Sequence, residues 1–84
     1  MTLGEGPSVT LVADRDPQSE ATRQMLDRDG VSYRTVAVSS NEGRTLMAAH
    51  GFPAPPAVFA PGTAWYGHRP DLVKTLAHDL GGAK

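Results

Sequence analysis

The succession of local signals predicts an α/β domain of order β-α-β-α-β-β-α, with a four-stranded mixed sheet and three helices. Three observations carry that expectation. A β-branched, apolar run from Ser8 to Ala13 is followed at once by Asp14-Arg15-Asp16 and a helix-opening Pro17. A second apolar run ends in a match to a capping box, Ser39-Ser40-Asn41-Glu42. The stretch from Gly51 to Asp71 then gathers five of the seven prolines (Pro53, Pro55, Pro56, Pro61 and Pro70) around two short strand signals.

Each element follows from its own residues. The first strand is apolar on both faces in its second half, which suits a central position covered on both sides. Asp16 offers a side-chain acceptor to the orphan amides of the first helix, and Pro17 fits the first helical position. Ala21, Met25 and Leu26 form the inward stripe of that helix, and Gly30 closes it. Val31 to Val38 is the second strand, with Tyr33, Val36 and Val38 as its apolar content. Ser39 caps the second helix, with Glu42 three residues on; Leu46, Met47 and Ala49 follow, and Gly51 stops it with Phe52 placed for the usual contact.

Pro55 and Pro56 then lead into the strand Ala57-Val58-Phe59-Ala60. Pro61-Gly62 is a tight turn and Ala64-Trp65-Tyr66 the returning strand, so these two strands form an antiparallel hairpin. Pro70 sits in the first turn of the last helix, which places Leu72, Val73, Leu76 and Leu80 on one side and ends at Gly81-Gly82. The first βαβ unit is expected to be parallel and right-handed.

Composition bounds the function. At 84 residues the chain is expected to be a single domain from 1 to 84, with 1–7 a loose leader and 82–84 a tail. A net charge of −1 without a basic cluster gives no electrostatic support for a nucleic-acid or anionic-membrane partner. No apolar run approaches the roughly 20 residues of a membrane span. Residues 1–7 carry neither a basic nor an apolar segment of a signal peptide, and cytoplasm is the default expectation. There is no cysteine, which excludes disulfides, thiolate metal sites and a cysteine nucleophile in this chain.

The same order of elements resembles that of the thioredoxin fold in its small, glutaredoxin-like form, which implies strand order 2-1-3-4, with the first and third helices on one face and the second on the other. Gly51-Phe52, Ala54-Pro55-Pro56-Ala57-Val58 and Trp65-Tyr66-Gly67-His68-Arg69-Pro70-Asp71 resemble the glycine-aromatic, X-Pro-Val-Val and Trp-Ser-Gly-Phe-Arg-Pro-Asp elements of NrdH-type redoxins. Leu26-Asp27-Arg28-Asp29-Gly30 with Tyr33 fits the same family, and the resemblance covers roughly residues 8 to 80. It implies a cis-proline at Pro56 beside the active site. It also implies a Cys-x-x-Cys motif at the first helix start, where the helix N-terminus would lower a thiol pKa. Counting back from Gly30, those positions are Asp16-Pro17-Gln18-Ser19, so thiol–disulfide exchange is absent. Ala57, Tyr66 and His68 are further departures.

The candidate binding groove is therefore Asp16, Pro17, Gln18, Ser19, Pro55, Pro56, Trp65, Gly67, His68, Arg69 and Pro70. Asp16 reads as a helix cap, and compatibly as a carboxylate standing where a thiolate would be. Trp65 is expected either to anchor a partner or to pack over the hairpin, and Arg69 to pair with a partner's carboxylate or internally. His50, His68 and His78 lack metal-ligand spacing and read as surface histidines. Asp14 and Asp16 are thin grounds for a cation site, and Ser19 has no nucleophile-elbow context. No cofactor is expected. The favoured function is a protein-binding module or regulator that lacks redox chemistry and engages redoxin partners, ribonucleotide reductase or thioredoxin reductase. The alternative is non-covalent binding of a thiol ligand such as glutathione, or a peptide, beside Pro56.

Overall fold

The first strand, β1 (Val9–Ala13), runs through the middle of the molecule, as its two-sided apolar pattern requires. A computed structural model of the chain describes residues 8–80, so the leader and tail expectations, and the Gly81-Gly82 stop, lie outside the described residues. The other elements are α1 (Pro17–Arg28), β2 (Tyr33–Ala37), α2 (Asn41–His50), β3 (Ala57–Ala60), β4 (Thr63–Tyr66) and α3 (Pro70–Leu80). The sheet order is β2-β1-β3-β4. β1 pairs parallel with β2 (Val9 opposite Tyr33) and antiparallel with β3 (Val12 opposite Ala57), and β4 returns antiparallel to β3.

Side-chain alternation divides the core in two. Val9, Leu11, Val58 and Trp65 point to one face, where Met25 and Leu26 of α1 and Val73, Leu76 and Ala77 of α3 cover them. Val12, Ala57 and Phe59 point to the other, where Met47 of α2 covers them. Both faces of β1 are thus closed by helices. Leu80, expected on the inner side of α3, is 44 % exposed; the buried stripe is Val73, Leu76 and Ala77. No helix among the described residues is long and apolar enough to cross a membrane.

The helix ends show why the chain turns where it does. Gly30 and Gly51 have φ of 78° and 68°, a region that favours glycine. After α1, Val31 N–H donates to the Leu26 carbonyl (3.0 Å) and Gly30 N–H to that of Asp27 (3.2 Å), the two bonds of a Schellman stop. Val31 and Leu26 then bury together. Val31 therefore belongs to the helix stop and not to the strand, which begins at Tyr33. After α2, Phe52 N–H donates to Met47 (3.0 Å), and Phe52 packs on the Met47 cluster.

One cap differs from the sequence expectation. Ser40, not Ser39, caps α2, its hydroxyl accepting from Gly43 N–H (3.0 Å). The shift by one residue moves Glu42 out of the capping-box position, and its carboxylate pairs with Arg34 on β2 instead. Gly43 is needed here for space: a Cβ would collide with the Ala37 carbonyl oxygen at the end of β2.

Candidate functional site

Strand register brings three segments to one end of the sheet. Val12 lies opposite Ala57, and Ala57 opposite Tyr66. One step further on, the ends of β1 and β4 meet the residue before β3, so Ala13, Pro56 and Gly67 lie side by side. The loop to α1 leaves from the first of these, the proline loop arrives at the second, and the connection to α3 leaves from the third.

The proline half is tied by long-range bonds. The Pro55–Pro56 peptide bond is cis, and Pro56 is fully buried. Proline has no N–H to give the ladder, but its carbonyl accepts from Gly67 N–H at 2.7 Å. Gly67 has φ of 86°, which a side chain would strain, and so turns the chain towards α1. There the His68 ring Nδ1 meets the Thr22 hydroxyl of α1 at 2.8 Å. Thr22 is wholly buried, so this bond pins the β4–α3 connection to the first helix.

The helix-start half satisfies itself locally. Asp16 is extended and caps α1, its Oδ1 accepting from Ser19 N–H at 2.9 Å. Hydrogen bonds from Ser19, side chain first and backbone second, hold the Asp16 carboxyl below its ordinary value, so it is ionised at neutral pH. Ser19 is buried, and its Oγ accepts from Asp14 N–H at 3.1 Å. Among the described residues the hydroxyl has no histidine bonded to it; it serves the loop and the Asp16 cap, which removes the serine-nucleophile reading. Pro17 and Gln18 are exposed in the first turn.

Two of the expected groove residues are placed differently. Trp65 is 7 % exposed and lies in the cluster under α1 and α3, opposite Val58. It is a core residue and not an exposed anchor, because β4 turns it to the inner face and gives solvent its neighbour Tyr66, 47 % exposed. Its Nε1 has no partner among the described residues. Arg69 is exposed but engaged, with Nε and Nη2 donating to Asp71 Oδ1 (3.3 Å) and Oδ2 (3.1 Å). That pair holds the Asp71 carboxyl below its ordinary value. Pro70 is the exposed first residue of α3, and Pro55 is half-buried.

Thr22 is the site residue that the sequence reading missed. Its only signal is the i,i+3 spacing from Ser19, which places these two side chains on one side of α1. Asp14 folds its carboxylate back onto Arg15 N–H (2.8 Å), and among the described residues no group of three or more His, Asp or Glu could hold a metal. His50 is a surface residue with a packing role, 4.8 Å from Phe59 and 5.4 Å from Phe52 by ring centroid.

No protein-family model matches the sequence, and a search of curated proteins finds no match. Among solved structures, the chain is similar to the glutaredoxin-like protein NrdH-redoxin from Escherichia coli, described as having a thioredoxin-like activity profile. The TM-score is 0.74 at 28 % identity, covering 81 % of this chain and 92 % of that one. The chain thus has the thioredoxin fold in its glutaredoxin-like form, is a structural neighbour of NrdH-redoxin, and carries no cysteine.

Proposed function

We propose that this chain is a protein-binding module that retains a redoxin groove and has lost thiol–disulfide exchange. One observation carries the reading: the proline loop and the β4–α3 connection are tied to the fold as a redoxin groove would need, in a chain that has no cysteine. The Gly67–Pro56 and His68–Thr22 bonds join three segments of the fold at the sheet end, and the chain contains no cysteine. By family resemblance, Asp16 and Ser19 stand at the two cysteine positions. A carboxylate and a hydroxyl can neither attack a disulfide usefully nor store the reversible S–S bond.

The electrostatics of the helix start support a more specific role. A reduced redoxin presents a thiolate at a helix N-terminus, stabilised by the same amides and dipole that stabilise Asp16 here. The Asp16 carboxylate stays ionised and is a permanent negative charge in that place. A partner that reads the reduced groove would meet its charge without its chemistry. The chain would then act as a decoy or regulator of redoxin partners, with ribonucleotide reductase and thioredoxin reductase as the candidates.

With a reductase, its electron donor and a disulfide reporter, the expected turnover is background; turnover above background overturns the loss of exchange. The double variant Asp16→Cys/Ser19→Cys is expected to gain reporter reduction, and a silent double variant would remove the positional equivalence. Binding is checked by surface plasmon resonance with each candidate partner against wild type and Arg69→Glu. A weakening of tenfold or more on substitution is expected. Equal affinity for the two proteins, or no binding by wild type, would sink the docking reading.

A further inference from the structure

A second cleft lies along α1, away from the helix start. It is bounded by Ala21, Gln24, Met25 and Arg28 of α1 and by His68 from the β4–α3 connection, with a volume of about 460 Å³. That size suits a small molecule, since ligand pockets run from roughly 300 to 1,000 Å³. Ala21 and Met25 supply an apolar wall, while Arg28 and His68 supply nitrogen donors from two separate segments. Neither of these two forms an ion pair among the described residues, whose pairs are Arg23–Glu20, Arg34–Glu42 and Arg69–Asp71. The α1 carboxylates within reach are engaged elsewhere: Glu20 with Arg23 and Gln24, and Asp27 with the Tyr33 hydroxyl. Asp29, next in sequence to Arg28, does not pair with it.

The Thr22–His68 bond decides which ring nitrogen faces the cleft and where its proton sits. Thr22 is wholly buried, and a buried hydroxyl proton needs an acceptor. Thr75 on α3 finds one in the backbone, donating to the Asp71 carbonyl four residues back (3.1 Å). Among the described residues Thr22 makes no such bond, and its one partner there is His68 Nδ1 at 2.8 Å. Thr22 therefore donates to Nδ1, and the neutral ring carries its proton on Nε2. Nε2–H is then the donor left for the cleft, on a ring whose position is fixed by the core.

We propose that this cleft binds a phosphate monoester with a compact apolar or aromatic group. The planar Arg28 guanidinium grips two phosphate oxygens, His68 Nε2–H donates to a third, and the organic group lies against Ala21 and Met25. Thr22 is a positioning residue: it touches no ligand and acts by holding the imidazole. This site shares His68 and its bond to Thr22 with the groove framework, but ligand binding here does not require the groove to dock a partner.

The test is an amide NMR titration of the whole chain with phenyl phosphate, benzoate and benzyl alcohol. Phenyl phosphate is expected to give saturable shifts confined to residues 21–28 and 67–69, with benzoate at least tenfold weaker and benzyl alcohol silent. Arg28→Met, at an exposed position, and His68→Phe are each expected to weaken phenyl phosphate tenfold or more. Thr22→Val is expected to weaken it several-fold, and to abolish the preference for the Nε2–H tautomer in the imidazole ¹⁵N spectrum. The assignment is overturned by an absence of saturable shifts, by shifts centred elsewhere, or by unchanged affinity in Arg28→Met and His68→Phe. Benzoate binding as tightly as phenyl phosphate would overturn the phosphate specificity, and an unchanged tautomer in Thr22→Val the positioning role.

Discussion

The two faces of the sheet are closed in different ways. Under α1 and α3 lies a continuous cluster with Leu11, Leu26, Val58 and Val73 fully buried and Trp65 nearly so. Under α2, a ten-residue helix covers Val12, Ala57 and Phe59 through Met47, and the rest is finished by the rings of His50, Phe52 and Tyr66, which solvent reaches. The first face supports the fold and, through Thr22, ties down the β4–α3 connection. The second is a thinner lid whose closeness depends on one glycine. Stability should therefore be lopsided: truncation under α1 and α3 weighs more than truncation on the α2 side.

Substitutions across the two faces can break that contrast. Trp65→Ala is expected to cost most, about 3–5 kcal/mol, because it empties a large site beneath two helices. Chemical denaturation measures it, and a loss under 1 kcal/mol would return Trp65 to the surface. Gly43→Ala follows at about 1–3 kcal/mol, since the added methyl meets backbone that cannot move aside. Tyr66→Ser, on the exposed side, should change stability by about 1 kcal/mol or less. A Tyr66 effect equal to that of Trp65 would mean that the faces contribute alike.

Two titrations sharpen the comparison at smaller scale. Burial, and then the Asp27 carboxylate, push the Tyr33 phenol up to about 12 from 10.0. A raised phenol pKa means the folded state favours the protonated ring. This contribution is present below pH 10.0 and is lost as pH rises towards about 12. Tyr33→Phe should flatten the alkaline arm of a stability–pH curve, and an unchanged arm would refute the assignment. Asp16 has the opposite sign. Its lowered pKa gives stability above 3.8 that is lost as pH falls through the folded value. The stability gap between wild type and Asp16→Asn should accordingly shrink in acid; a gap independent of pH would remove the charge-based account of the cap.

Much of this architecture was legible because its signals are local. Asp16-Pro17, the glycine stops and Pro61-Gly62 each act within a few residues, so element order could be read in succession, while strand order came with the family resemblance. Ser39 and Ser40 are chemically equivalent caps, and the choice between them came from the close approach of Gly43 to β2. Trp65 was harder to place. Alternation in a four-residue strand says that Trp65 and Tyr66 face opposite ways, but not which of them faces inward. The Thr22–His68 bond spans 46 residues of sequence, and only the packed fold reveals it. The missing sulfur, by contrast, was plain from composition alone.

The central position of β1 also governs how this chain can be made. β1 needs β2 on one edge and β3 on the other, and its two faces need α1, α2 and α3. A nascent chain that has reached His50 has β2 to pair with, yet leaves the opposite edge of β1 and the Leu11 face open. An open apolar edge of this kind invites pairing with other chains. The domain can close only once residues 57–77 have emerged. N-terminal fragments ending before β3 should therefore be captured by chaperones or aggregate, and folding should be a single late event rather than growth from the first strand onward.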